Sequence, residues 1–225
     1  MSTELITRIA AARERVIAAE AGDALTPRPP ARLPAETVSR MIDHTLLRPA
    51  ATADEVRVLC AEAREHGFAT GCVNPSWTEI CAEELAGSPV GVCTVAGFPL
   101  GATLPSAKAH EAGRVVAIGA TEVDMVLNVG ALRSGDPGAV WEDVAGVVDV
   151  CHAGGARVKV IIEACLLSRD EKVAACVICE TAGADYVKTS TGFAAGGATA
   201  EDVALMRFVV GPDVGVKAAG CIRTG

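Results

Sequence analysis

Lysines inside apolar strands are the first feature of this chain with chemical consequence. Lys188 sits in Gly183–Phe193 (GADYVKTSTGF), Lys217 in Val214–Gly220 (VGVKAAG) and Asp124 in Val123–Val129 (VDMVLNV). A charged side chain in such a run is costly to bury alone, so each is either solvated or compensated by a partner. A single lysine in a strand reads first as a surface residue. Polar residues recur in other such runs, at Asp43, Asn74, Asn128, Lys159 and Glu163, and the ionisable ones can compensate one another if the runs converge on one interior. Adjacent strands lie about 4.8 Å apart, so two inward lysines on neighbours would depress a pKa and leave free amine at neutral pH. A neutral amine attacks a carbonyl carbon to form a Schiff base. A carboxylate beside it can orient a water and move protons to the carbinolamine and enamine. The competing reading of Asp124, Lys188 and Lys217 is a structural ion-pair network, and residue chemistry by itself leaves both open.

The rest of the chain predicts elements that would bring these residues together. Its 225 residues are half hydrophobic but only 3% aromatic, a diet of Ala, Val, Ile and Leu that suits buried parallel strands flanked by helices. Strand candidates fall at Ile42–Leu46, Ala69–Asn74, Val90–Phe98, Glu122–Val129, Val158–Ala164, Tyr186–Thr191 and Val214–Ala219, with Ala-, Glu- and Arg-rich helical segments between them. Several helices end where glycine suits a C-cap, at Gly67, Gly119 and Gly183. Repeated β–α units imply an all-parallel sheet, either doubly wound or closed as a TM-type (β/α)₈ barrel. No GxGxxG follows the first strand and no GxxxxGK[ST] occurs, so the regular spacing favours the barrel.

Composition excludes several classes of function. The net charge of −8, with no basic block, argues against a nucleic-acid partner. No apolar stretch is long enough for a membrane span. The nine cysteines are scattered through apolar runs without a secretory signal, which reads as reduced core thiols in a cytoplasmic protein. Cys176–Cys179 has CxxC spacing but lies in a helical run, where packing is the favoured role. Residues 1–22 form an amphipathic helix followed by a proline-rich connector (DALTPRPPARLP), giving an arm and linker over 1–34 and a barrel domain over 35–225. A local packing role or an oligomer contact, such as that of a homodimer, suits the arm.

In order along the chain stand DHTLL (43–47), CVNP (72–75), VAGFPLG (95–101), EVDMVLNVGAL (122–132), KVIIEACLL (159–167), GADYVKTSTGF and VGVKAAGCIRT (214–224). Together they closely resemble the deoxyribose-phosphate aldolase family, class I aldolases on a TIM barrel, from about Ile42 to Gly225. The resemblance implies reversible cleavage of 2-deoxy-D-ribose 5-phosphate to acetaldehyde and D-glyceraldehyde 3-phosphate, with no metal or other cofactor and a small phosphorylated sugar as the partner. It implies Lys188 as the Schiff-base lysine, Lys217 as the lysine that perturbs it, and Asp124 as the proton relay. It also implies that Asp43 and Cys72 line the pocket, and a buried core thiol is the plain alternative for Cys72. Thr191, Gly192 and Gly220 fall where backbone N–H groups would meet a phosphate, near a helix start capped by Thr199. A catalytically silent relative that binds a sugar phosphate, or another class I aldolase with a different acceptor, are the alternatives.

Three departures from the family pattern stand out. Ala219 and Cys221 replace a serine and a glycine of the last motif, which puts a Cβ and a thiol beside the expected phosphate loop. Arg48 replaces a lysine in the first motif. The resemblance also expects roughly thirty more residues, with an eighth strand and helix. The sequence therefore predicts an open barrel with seven of the eight strands, unpaired at strands one and seven.

Overall fold

The computed structural model describes residues 2–22, 24–27, 32–220 and 222; Cys221 and the chain end after Ile222 lie outside the described residues. Seven strands form one sheet: β1 (Asp43–Leu46), β2 (Thr70–Val73), β3 (Gly91–Ala96), β4 (Glu122–Val126), β5 (Arg157–Ile161), β6 (Tyr186–Lys188) and β7 (Gly215–Lys217). They lie side by side in chain order and every neighbouring pair is parallel. A short helix, α2 (Ala35–Ser39), precedes β1, and crossover helices return the chain each time: α3 (Ala53–His66), α4 (Thr78–Leu85), α5 (Pro105–Ala117), α7 (Pro137–Ala153), α8 (Arg169–Thr181) and α9 (Ala200–Val210). The first of these opens on a capping box of Thr52 with Glu55 and closes on left-handed Gly67. Ser168 with Glu171 forms the capping box that opens α8, and Thr199 accepts the Asp202 N–H to cap α9.

Two layers of side chain leave the sheet. Val123, Met125, Val158, Val160 and Val187 point outward and pack with α5, α7, α8 and α9 in the main core. The inner layer is thin and mixed, with Leu47, Cys72, Cys93 and Val95 in one apolar group and the charged residues of β4 to β7 beside it. Helix α1 (Ser2–Ala21) lays Leu5, Ile9, Ala12 and Val16 into the main core, and Arg8 pairs with Glu180 across the seam at 3.1 Å. The CxxC cysteines, Cys176 and Cys179, are core residues of α8.

The expected strands all form, and each is shorter than its apolar run. Asn74 and Thr191 lie beyond β2 and β6. Asn128 is not in β4 but caps a short helix, α6 (Val129–Arg133), through its side chain. Glu163 lies past β5 in the left-handed region at φ 50. Polar groups at strand ends can bond to loop N–H groups, and this competes with the ladder. Among the described residues β1 pairs only with β2 and β7 only with β6, as an open seven-stranded barrel requires. The sheet curls far enough for Lys217 of β7 to donate to the Met41 carbonyl, next to β1, at 2.9 Å.

Candidate active site

The C-terminal half of the barrel interior holds a compact charge cluster. Strand order fixes it: Asp124 on β4 is in register with Lys159 on β5, and Lys188 on β6 with Lys217 on β7. Asp124 is fully buried. Its Oδ2 accepts from Lys188 Nζ at 2.5 Å, and its Oδ1 accepts from Lys159 Nζ at 2.9 Å. Lys159 also pairs with Glu122 and lies 3.5 Å from Asp43. Asp43 accepts from Thr70 Oγ1 at 2.8 Å, and its other oxygen lies 2.7 Å from Lys217 Nζ without a well-directed hydrogen bond. The lysines Lys159, Lys188 and Lys217 thus face the carboxylates of Asp43, Glu122 and Asp124. An interior so balanced tolerates burial that no single member could.

The ionisation of the cluster corrects one expectation. Burial pushes Lys188 toward the neutral amine, but the charge of Asp124, the neighbouring Cys72 and Cys93 and the hydrogen bond to Asp124 together outweigh it and hold Lys188 above the ordinary lysine value. Burial likewise pushes Asp124 up, and Lys159 and Lys188 together pull it well below the usual carboxylate range. For Lys159, burial is again outweighed, here by Asp124, Cys93, Asp43 and Glu122. Lys217 stands beside Lys188 in register as expected, yet its ammonium is directed to Asp43 and Met41 rather than to Lys188. In the resting site Lys188 is therefore a paired cation and not a free amine.

Cys72 and Cys93 are register partners on β2 and β3, and both are fully buried. Their sulfurs and an Asp124 oxygen lie within 4.8 Å of one another, a spacing that could hold a metal ion. The donor set is poor for one. Asp124 is engaged by two ammonium groups, and hydrogen bonding to Cys72 followed by burial pushes the Cys93 thiol well up.

Beyond β6 and β7 the loops bring three glycines together. Gly192 and Gly220 have φ of 83° and 77°. A Cβ on Gly220 would lie 3.0 Å from the Gly197 Cα, so only glycine allows this approach. Ala198 N–H donates to the Ala219 carbonyl at 2.9 Å, tying the two loops. Thr191 differs from its expected part: its N–H and hydroxyl both donate to the Glu163 carboxylate, which leaves neither free for a phosphate. Lys159, Glu122 and Glu163 are the members that residue spacing did not assign. The signal for Lys159 was present, a lysine inside KVII, but its place beside Asp124 depends on β5 pairing with β4.

The chain is a parallel α/β barrel protein with lysines and carboxylates paired in its interior. Residues 37–222 match the model of the DeoC/LacD family of aldolases, and the chain belongs to that family. It is 57% identical over 188 residues to the deoxyribose-phosphate aldolase of Listeria monocytogenes, with 84% of each chain covered. Identity to the deoxyribose-phosphate aldolase of Brevibacillus brevis is 59% over 188 residues, again with 84% of each covered. A solved deoxyribose-phosphate aldolase from Aeropyrum pernix, described as tetrameric, superposes with a TM-score of 0.77 at 36% identity, covering 85% of this chain and 80% of its own. A Coccidioides immitis structure provisionally described by the same name gives a TM-score of 0.87 at 37% identity, over 99% of this chain and 87% of its own.

Proposed function

We propose that the protein cleaves 2-deoxy-D-ribose 5-phosphate reversibly to acetaldehyde and D-glyceraldehyde 3-phosphate through a Schiff base on Lys188. The observation that carries the reading is the 2.5 Å hydrogen bond from Lys188 to Asp124 in a desolvated interior, in a chain of an aldolase family. Proton transfer along that bond gives a neutral amine and a carboxylic acid. The amine attacks the C1 aldehyde of the open-chain sugar. Asp124 then returns the proton to the carbinolamine hydroxyl, which leaves as water and creates an iminium beside the carboxylate. The iminium draws in the C2–C3 bonding pair while the C3 hydroxyl gives its proton to Asp124. The bond breaks, the glyceraldehyde phosphate departs, and an enamine remains. Protonation at C2 and addition of water release acetaldehyde and restore Lys188.

The other residues hold this chemistry in place. Lys159 keeps Asp124 oriented from its second oxygen. Lys217 and Asp43 sit at the rim of the cluster, where they can position the sugar hydroxyls. Cys72 forms part of the wall. Backbone N–H groups of the loops around Gly192 and Gly220 receive the phosphate. The eight described cysteines are all free, in keeping with a reducing, cytoplasmic setting. Self-association, a homodimer in its simplest form, belongs to the same reading. Release of acetaldehyde from 2-deoxy-D-ribose 5-phosphate, coupled to a reductase, tests the function. Cleavage that survives a chelator is expected, and a folded protein with no cleavage overturns the proposal.

A further inference from the structure

Glu163 is a residue the proposed chemistry does not use. It is buried, and it is the single non-glycine residue with positive φ among the described residues, at 50°. A side chain held in the left-handed region is destabilised unless its surroundings fix it there, and such residues gather at functional sites. Here the surroundings are specific. On either side of Glu163 the backbone continues the pairing of β5 with β6: Ile162 N–H donates to the Lys188 carbonyl at 3.0 Å, and Ala164 N–H to the Thr189 carbonyl at 2.8 Å. The left-handed turn between them throws the Glu163 carboxylate across to the loop that follows Lys188. There it accepts from Thr191 Oγ1 at 2.5 Å and from Thr191 N at 3.3 Å. Thr191 Oγ1 accepts in turn from Phe193 N at 3.1 Å. One carboxylate thereby sets the path of the chain from Lys188 into Gly192, where the glycine loops converge on Gly220.

We propose that Glu163 is a positioning residue for the phosphate subsite, acting through Thr191 and never touching the sugar; this rests on the function proposed above. The carboxylate takes both Thr191 donors, so Thr191 shapes the loop while the backbone beyond it is left to meet the anion. Both Thr191 donors must be held by Glu163 for the chain to keep the path that presents Gly192 to the anion. The inference separates two halves of one substrate. Disturbing Glu163 should weaken recognition of the phosphate and spare the carbonyl chemistry at Lys188.

The test uses E163Q, T191V and T191S, with 2-deoxy-D-ribose 5-phosphate and unphosphorylated 2-deoxy-D-ribose as substrates and inorganic phosphate as inhibitor. Removing a charge-assisted hydrogen bond should raise KM for the phosphorylated sugar about tenfold or more, and the phosphate inhibition constant with it. For the same variant, kcat on the phosphorylated sugar and kcat/KM on the unphosphorylated sugar should stay within about threefold, since the hydrogen bonds lost lie outside the reacting groups. T191V should behave like E163Q, T191S should recover most of the affinity, and the double variant E163Q/T191V should be no worse than either single one. Should E163Q fail to fold, the pair T191V and T191S carries the comparison. Equal losses on both substrates, or an unchanged KM and phosphate inhibition, overturn the inference while wild-type cleavage still upholds the function. Absence of wild-type cleavage would instead overturn the function itself.

Discussion

Replacing Asp124 by asparagine removes the one carboxylate within ion-pair distance of Lys188 among the described residues. Lys159 keeps Glu122 and Asp43, so the uncompensated charge falls on Lys188. Breaking a buried pair by deleting one partner costs about 3–5 kcal/mol. Lysine has a way out, because it can lose its proton. Deprotonation at pH 7 from an ordinary pKa of about 10.4 costs about 4.6 kcal/mol at 1.36 kcal/mol per unit, which caps the penalty. At pH 9 the same escape costs about 1.9 kcal/mol. In the wild type the raised Lys188 value means stability that is fully present below the unfolded lysine pKa and is lost as pH climbs through the higher folded value. In the variant the neutral form is favoured on folding, so stability is recovered as pH rises toward the unfolded value. At about 2–4 °C per kcal/mol for a chain of this size, D124N should melt roughly 6–18 °C below wild type at pH 7, and the gap should shrink to about 4–8 °C or less at pH 9. Thermal unfolding followed by circular dichroism at the two pH values measures it. A gap below about 3 °C at pH 7, or one that does not shrink by pH 9, refutes the reasoning.

Asp124→Asn should also lower turnover on the order of 10²-fold, as expected for a positioned proton-transfer group, and steady-state kinetics on folded protein would show it. The depressed Asp124 value gives stability that is present above the ordinary carboxylate range and lost only as pH falls through the lower folded value, so an acid titration should find this cluster opening later than the surface carboxylates. Lys108→Met should cost about 3–5 kcal/mol in a denaturant titration, because it leaves Asp143 buried and without its 2.5 Å partner; adding Asp143→Leu should restore part of that loss. Ile9→Ala on α1 should cost about 2–4 kcal/mol by the same method, since its side chain is buried against the main core.

The seven strands were legible because β-branched apolar runs between glycine-ended helices leave little choice of structure. The ends of those runs were not. Asn128 and Glu163 sit in apolar words, yet each leaves the ladder, the first to cap α6 and the second to hold Thr191. Lys188, Lys217 and Asp124 were legible as charges facing one interior. Which charge pairs with which was not, because it depends on lateral order and on side-chain reach. Lys159 takes one oxygen of Asp124 while Lys188 takes the other, and Lys217 reaches across the gap to Asp43. The sequence-based expectation of a free amine at Lys188 counted the neighbouring lysine and the desolvation. The competing ion-pair reading had the Asp124 carboxylate in it, and the 2.5 Å hydrogen bond from Lys188 gives that carboxylate the larger part.

The most direct test of the central claim is to trap the intermediate. Wild-type protein is incubated with acetaldehyde, reduced with borohydride and digested, and the modified lysine is located by mass spectrometry. The account predicts an ethyl group on Lys188 and on neither Lys159 nor Lys217, with Lys188→Ala abolishing the adduct. An adduct mapped to Lys159 or Lys217, or the absence of any reducible adduct in protein that cleaves the sugar, would contradict it.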